Sequence, residues 1–226
     1  MKTRSKRYKE SRKQTSQDSP LNLKDALACL KKQAATKFDA SVDLHFNLNV
    51  DTKKSDQMVR GTVVLPHGRG KKVRVAVFCK GEHDKIARDA GADQIGAQEL
   101  IDKVSAGFMD FDCCIATPEM MKDLSKLGKV LGPRGLMPSP KTGTVTNDIA
   151  KAIEDVKKGK IEFRVDKQGG IHLGVGKLSF SEDKIFENAS RVIEAINEAK
   201  PASIKGKFVE SLSIATSMNP GIKLII

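Results

Sequence analysis

The chain has 226 residues, 39% of them apolar, which suffices for one large domain or two ordinary ones with cores of their own. No stretch approaches the roughly 18 apolar residues of a membrane span, and the opening "MKTRSKRYKESRKQ" lacks an apolar h-region, so no membrane contact is expected and the cytoplasm is. The formal net charge of +12, from 40 basic and 28 acidic residues, points towards polyanionic partners.

Half of that excess sits at one end. Residues 1–13 carry seven cations (Lys2, Arg4, Lys6, Arg7, Lys9, Arg12, Lys13) against Glu10, a net of +6, whereas residues 68–158 have a net of only +3. Residues 1–20 therefore read as a basic, mobile arm. Such an arm suits a polyphosphate, because each neutralised phosphate releases counterions, and it equally suits plain solvation. One Tyr, nine Phe and no Trp argue against an aromatic platform for stacking single strands.

A helix is expected from around Leu21, with Leu23, Leu27 and Leu30 along one side. Segment 41–50, "SVDLHFNLNV", alternates strictly. Val42, Leu44, Phe46, Leu48 and Val50 point one way, and Ser41, Asp43, His45, Asn47 and Asn49 point the other, as in a strand with one buried face. The character changes near "LPHGRGKKV". Strands in "KKVRVAVFCK", "DQIG" and "FDCCIATP" then alternate with helices in "EHDKIARDAGA" and "AQELIDKVSAG". "TNDIAKAIEDVKKGK" continues as a helix through Ile149, Ile153 and Val156, capped by Thr146 or Asn147. This βαβα order predicts a parallel sheet covered by helices.

Past "KKGKIEF" the alternation returns. "KIEFRVDKQGGIHLGVG" reads as a hairpin with "KQGG" at its turn, Ile161, Phe163 and Val165 opposing Arg164 and Asp166. "SEDKIFENASRVIEAINEA" is an amphipathic helix, and "ESLSIATS" sets Leu212 and Ile214 against Ser211, Ser213 and Ser217. The two kinds of segment predict an α/β and α+β protein of two domains. Residues 1–67 and 159–226 are expected to form a discontinuous α+β domain, a split βαβ-like sheet with helices on one face, although periodicity alone leaves open whether the two ends pair. Residues 68–158 form an inserted three-layer αβα domain. The open sheet face is a polar surface, either solvated or functional.

Signals for catalysis are poor. No Walker or G-x-G-x-x-G loop is present; "GVGKL" ends in Leu178 where magnesium binding needs a hydroxyl. His45, His67, His83 and His172 lack metal-ligand spacing, so no metal, cofactor or catalytic residue is expected. Cys29, Cys79, Cys113 and Cys114 lack CxxC spacing; the vicinal pair is either small apolar packing or a redox or soft-metal site, with packing favoured. Asp110 and Asp112 are a carboxylate pair or, more simply, a turn before a strand. The glycine- and proline-rich loop 127–145, "LGKVLGPRGLMPSPKTGTV", is by composition a turn, or a phosphate or RNA contact through Lys129, Arg134 and Lys141.

That loop, with "KFDASVDLHFNLNVDTKKSDQMVRGTVVLPHG", "FDCCIATP", "KGKIEFRVDKQGGIH" and "TSMNP", closely resembles the bacterial ribosomal protein L1 family, the large-subunit proteins of the stalk beside the tRNA exit site. The likeness runs in order from about Lys6 to the C-terminus. It implies an rRNA-binding domain built from both chain ends and a Rossmann-like inserted domain, joined by hinges at Pro66, His67, Gly68 and Gly159. It also implies that the loop is chiefly structural. By the same likeness, contacts to large-subunit 23S-type rRNA fall on Lys37, Phe38, Ser41 and Asp43 and on Ser211, Thr216, Ser217 and Met218, with Arg164, Asp166, Lys167 and His172 as companions. Phe38 as a core residue and Ser217 as a turn former are the plainer alternatives. Ser41 and Asp43 stand where the family often has Thr and Glu, and Asn219 where it usually has Gly.

The resemblance further implies a structural ribosomal constituent, monomeric off the ribosome. Its partners would be rRNA, the E-site tRNA whose deacylated form it helps release, and its own operon's mRNA, which it represses. The alternatives from other classes are a nucleotide- or sugar-phosphate-dependent enzyme using the inserted domain, and a nonspecific polycation.

Overall fold

The computed structural model describes residues 5–15, 19–33, 36–81, 83–204 and 206–225. The arm cations Lys2 and Arg4 lie outside them. The chain begins with α1 (Lys6–Gln14), α2 (Leu23–Lys32), β1 (Ser41–Leu48) and β2 (Arg60–Val64). The middle holds β3 (Val75–Phe78), α3 (His83–Asp89), β4 (Gln94–Gly96), α4 (Gln98–Ser105), β5 (Cys113–Ala116), two short helices α5 (Met121–Leu124) and α6 (Gly128–Leu131), and α7 (Ile149–Lys158). The last part comprises β6 (Lys160–Arg164), β7 (Gly170–Lys177), α8 (Glu182–Glu198), β8 (Val209–Thr216) and β9 (Ile222–Leu224). Backbone contacts divide these into two compact units, Met1–Gly70 with Ile161–Ile226, and Lys71–Lys160.

The first unit is organised by an antiparallel sheet of order β7-β1-β8-β9. Alternation in β1 buries Val42, Leu44, Phe46 and Leu48 among Ala26, Leu27 and Leu30 of α2 and Ile185, Ala189, Val192 and Ile196 of α8. Both helices therefore cover one face, and the hydrophobic effect fixes which face. Asn188 of α8 is fully buried yet satisfied. Its Nδ2 donates to the carbonyls of Gly68 and Val175 at 3.0 and 2.8 Å, and its Oδ1 accepts from His67 N at 3.1 Å.

Three local expectations change. The arm is not wholly unstructured: residues 6–14 form a helix, capped by Ser5, whose side chain accepts from Tyr8 N. The expected hairpin is only its turn, because β6 pairs with β2 in a separate two-stranded sheet while β7 pairs with β1. Asp166 N donates to Gly170 O at 2.8 Å, closing the turn, and Gly169 has φ +85° where a Cβ would lie 2.8 Å from Leu48 O. Finally, α7 is capped by Asp148, which accepts from Lys151 N at 3.3 Å; Thr146 instead accepts from Asp148 N.

The second unit has a parallel sheet of order β4-β3-β5. Ala76, Phe78, Cys114 and Ala116 pack with α4 and the short helices on one side, and Val75, Val77 and Ile115 with α3 and α7 on the other. Burial on both faces explains the unbroken apolar runs of its strands.

Leu44, fully buried at the centre of β1, carries the first prediction. Leu44→Ala is expected to lower unfolding free energy by about 2–5 kcal/mol, read from the urea midpoint; a shift under about 0.5 kcal/mol is incompatible with this core.

Candidate nucleic-acid interface

Alternation that buries one side of β1 turns the other outward, and the register arranges it in rows. Ser41 lies opposite Lys177, Asp43 between Gly174 and Ala215, His45 between His172 and Ser213, and Asn47 between Gly170 and Ser211. Six residue steps separate Ser41 from Asn47, about 20 Å along the strand. The face thus has two ends.

At the Ser41 end, strands from both parts of the chain are stitched through polar groups. Ser217 Oγ accepts from Ser41 N at 3.1 Å, Ser217 N donates back to Ser41 O at 3.2 Å, and Lys177 Nζ donates to Ser41 Oγ at 2.9 Å. Lys37 and Phe38 precede Ser41 in the chain and Met218 follows Ser217; all three are exposed, Phe38 at 53% and Met218 at 49%, so Phe38 is no core residue. Phe38 also lines a shallow cavity of about 350 Å³, together with Lys31, Thr36, Asp39, Leu178, Ser179 and Phe180. Asp39 ties it down, accepting from Ser179 N and Oγ at 3.1 and 2.8 Å.

Thr216 is a correction. It is 4% exposed, facing the helices with Leu212 and Ile214, so its hydroxyl is not on the outward face. The turn after it is fixed by Asn219, whose Nδ2 donates to Gln33 O at 3.1 Å. Among the described residues no non-glycine has positive φ, so Asn219 serves through its side chain and not through a left-handed backbone.

Towards the Asn47 end lie Ser211, opposite Asn47 and separated by the register from Ser217, His172, opposite His45, and Asp166 and Lys167 in the turn before β7; Arg164, at the end of β6, belongs to the separate β2-β6 sheet, and all five are exposed. Asp166 shapes the turn: Oδ1 accepts from Gln168 N at 2.8 Å and Gly170 N at 2.7 Å, and these bonds hold its carboxyl below the usual carboxylate range. The sequence-based selection omitted His45, whose Nδ1 lies 2.8 Å from His172 Nδ1. Its place between Asp43 and Asn47 in the alternation was the available signal. Arg69, beside Asp43 and Gly174, had none, since tertiary folding alone brings it there.

The middle unit offers little chemistry. Arg74 pairs with Asp110 and, at 3.1 Å, with Asp112; Lys71 reaches Asp112 at 2.9 Å and, as the leading cause, pulls its carboxyl down to about 2. The two acids are thus an ion-pair network, not a proton-sharing dyad. Burial pushes the Cys79 thiol up to about 12 and Cys114 higher still, which leaves them inert. In the loop, Gly132 admits Gly128 O, which a Cβ would meet at 2.5 Å; Leu131 and Thr142 are buried, and Val145 bridges to Ala116 beside β5. No group of three or more metal-ligating side chains occurs among the described residues.

The histidine row predicts a pH dependence. Burial first, and the neighbouring His172 second, lower His45 from its usual 6.5, with Asp43 opposing them. The groups around it are Asp43 on its own strand, His172 with Asp166 from the β7 side, and Ser213 then Lys223 across β8 and β9. On acidification below 6.5 the unfolded chain takes up a proton that folded His45 resists, so its contribution is complete above 6.5 and is lost as pH falls through the lowered value. Denaturation midpoints should therefore fall between pH 7.5 and 5.5, less steeply in His45→Asn; parallel curves would contradict the assignment.

Comparison with known proteins bears on what the face serves. The sequence model of the Ribosomal protein L1p/L10e family matches residues 30–220. Proteins named large ribosomal subunit protein uL1 from Fervidobacterium nodosum, Thermosipho melanesiensis and Thermosipho africanus are 54%, 51% and 50% identical to the chain over 221 residues. These alignments cover 97% of the chain and 94–95% of each relative. The matched span includes β1, β7 and β8, all three strands of the polar face. The chain belongs to the ribosomal protein L1p/L10e family, a structural family without enzymatic activity.

Proposed function

We propose that the chain is a structural constituent of the large ribosomal subunit, in the cytoplasm, and that it binds rRNA through the polar face of its β7-β1-β8-β9 sheet. The observation carrying this reading is the stitched corner of Ser41, Lys177 and Ser217, with Lys37, Phe38 and Met218 exposed close to it in the chain. Its chemistry suits folded RNA. Serine hydroxyls and Asp43 exchange hydrogen bonds with ribose 2′-hydroxyls, Lys37 meets phosphate, and the two exposed apolar side chains press on sugars or bases. The reciprocal bonds between Ser41 and Ser217 hold these groups in place before binding, which reduces the ordering entropy. Of the companions, His172 lies opposite His45 and Ser211 opposite Asn47 on the same face, Lys167 stands in the turn before β7, and Arg164 ends β6 in the neighbouring two-stranded sheet; Asp166 contributes by shaping the turn.

The finer role is a mobile stalk near the E site, assisting translocation and release of deacylated tRNA. Mobility needs a hinge where the chain passes between its units, at 70–71 and 160–161. Asn188 holds His67 and Gly68 to α8, which favours a pivot nearer the 70–71 passage than Pro66–Gly68; Gly159, left-handed at φ 110°, is the candidate on the return. Repression of the protein's own operon mRNA follows if a leader there imitates the rRNA site. An enzymatic reading of the inserted αβ unit has no support from the family or from any motif.

The test is binding of the full chain to a stalk-rRNA fragment. Lys37→Ala/Ser217→Ala should weaken it by about 10–100-fold, as expected for one charge-assisted and one neutral contact, with the urea midpoint preserved. Wild-type affinity in that variant removes this corner from the interface.

A further inference from the structure

The basic helix at the start of the chain has no place in the interface just described, yet it is not a free tail. Of α1, Arg7, Tyr8 and Ser11 are partly or fully buried, and Thr15 follows them in the same way. At about 100° per residue these four fall within one arc of roughly 100°. Lys6, Lys9, Glu10, Arg12 and Lys13 are exposed and fill the opposite arc of roughly 160°. The buried arc is docked on a single side chain. Gln33, itself 2% exposed, donates through Nε2 to Thr15 Oγ1 and, at 3.5 Å, to Ser11 O. The carbonyl of the same Gln33 accepts from Asn219, in the turn that carries Ser217 and Met218. One residue thus fastens the basic helix and the proposed rRNA corner alike.

We infer that α1 is a docked phosphate-binding helix that extends the RNA surface beyond the sheet, with Lys6, Lys9, Arg12 and Lys13 contacting the RNA backbone. The outward arc has no apolar residue, so it fits neither a membrane nor the apolar centre of a protein interface. It fits a polyanion. Lys6 to Lys13 spans about 10 Å at 1.5 Å per residue, the axial reach of roughly three phosphates at 3.4 Å per step. Docking by Gln33 distinguishes this from a flexible polycation, because position as well as charge then matters.

The inference rests on the rRNA reading, and the experiment separates the two. Full-length protein is titrated with the stalk-rRNA fragment across salt concentrations. If the wild type fails to bind, the rRNA reading falls. If it binds, a Lys6→Gln/Lys9→Gln/Arg12→Gln/Lys13→Gln variant should flatten the log–log salt slope by about 2–3 and weaken binding about tenfold or more at 100 mM salt, with thermal stability unchanged. Glu10→Gln, which removes the arc's one acid, should bind more tightly, a result that misfolding cannot imitate. Gln33→Leu keeps every cation and should weaken binding only where those cations are present, adding nothing in the charge-removed background. An unchanged salt slope overturns the inference. So does a Gln33→Leu effect that is absent, or fully additive, since the helix then acts undocked or not at all.

Discussion

The insertion of β1 between β7 and β8 is the constraint on which the first unit depends. A strand from the first quarter of the chain takes hydrogen bonds on both edges from strands in the last quarter, across an inserted unit of 90 residues. Closing so long a loop is entropically unfavourable, though the cost grows only slowly with length. Burial of Val42, Leu44, Phe46 and Leu48 under two helices offsets it. A register slip of one residue would send that row to solvent and drag Ser41, Asp43 and His45 into the core. The same burial that stabilises the sheet therefore fixes the composition of the outward face.

The outward face is kept ordered by its own hydrogen bonds. Ser41 and Ser217 bond reciprocally, Asn47 Nδ2 reaches Glu210 at 2.8 Å, His45 meets His172, and Asp166 gathers the amides of its turn. Individually such exposed contacts contribute little to stability. Their larger consequence is positional, because donors and acceptors are aimed by neighbours on strands that cannot slide. A surface made this way is suited to the proposed reading of a folded polyanion's shape, with Lys37, Lys167 and Lys177 as its cations beside the acids Asp43, Asp166 and Glu210.

Much of this could be read from the residues alone, and the failures have physical causes. Strict alternation in 41–50 and the 3.6-residue spacing of Ile185, Ala189, Val192 and Ile196 are strong patterns, and both elements formed accordingly. β9 went unrecognised because "IKL" is too short for a pattern, and β2 because "RGTVV" alternates weakly around Gly61. The hairpin was misjudged for a different reason. "KQGG" does form a turn, but a turn dictates only the chain reversal, and strand partners are chosen by tertiary packing. Thr216 likewise sits in a polar-looking "ATSM", where the alternation of β8 turns it inwards. Ser211 and Ser217 are both drawn from one stretch of family likeness, which carries no register; pairing with β1 puts Ser211 opposite Asn47 and Ser217 beyond the opposite end of the strand.

The most conspicuous motif in the sequence is also the least informative about binding, and there is a reason. The stretch 127–145 packs the short helix α6 and several turns into a few residues, and it draws on unusual ones: glycine at 132, where the carbonyl of Gly128 lies within 2.5 Å of a would-be Cβ, and proline where the path is rigid. Those residue types are rare enough in sequence to stand out. The rRNA contact proposed for the sheet face asks for nothing rare: hydroxyls, an aspartate, a lysine and an exposed Phe, each unremarkable singly and significant only through where the fold places it. Gln33 is the extreme case. No pattern marks it, yet its side-chain amide fastens α1 and its backbone carbonyl fastens the turn of Ser217, so the placement of the N-terminal helix and the geometry of the sheet corner meet at one buried residue.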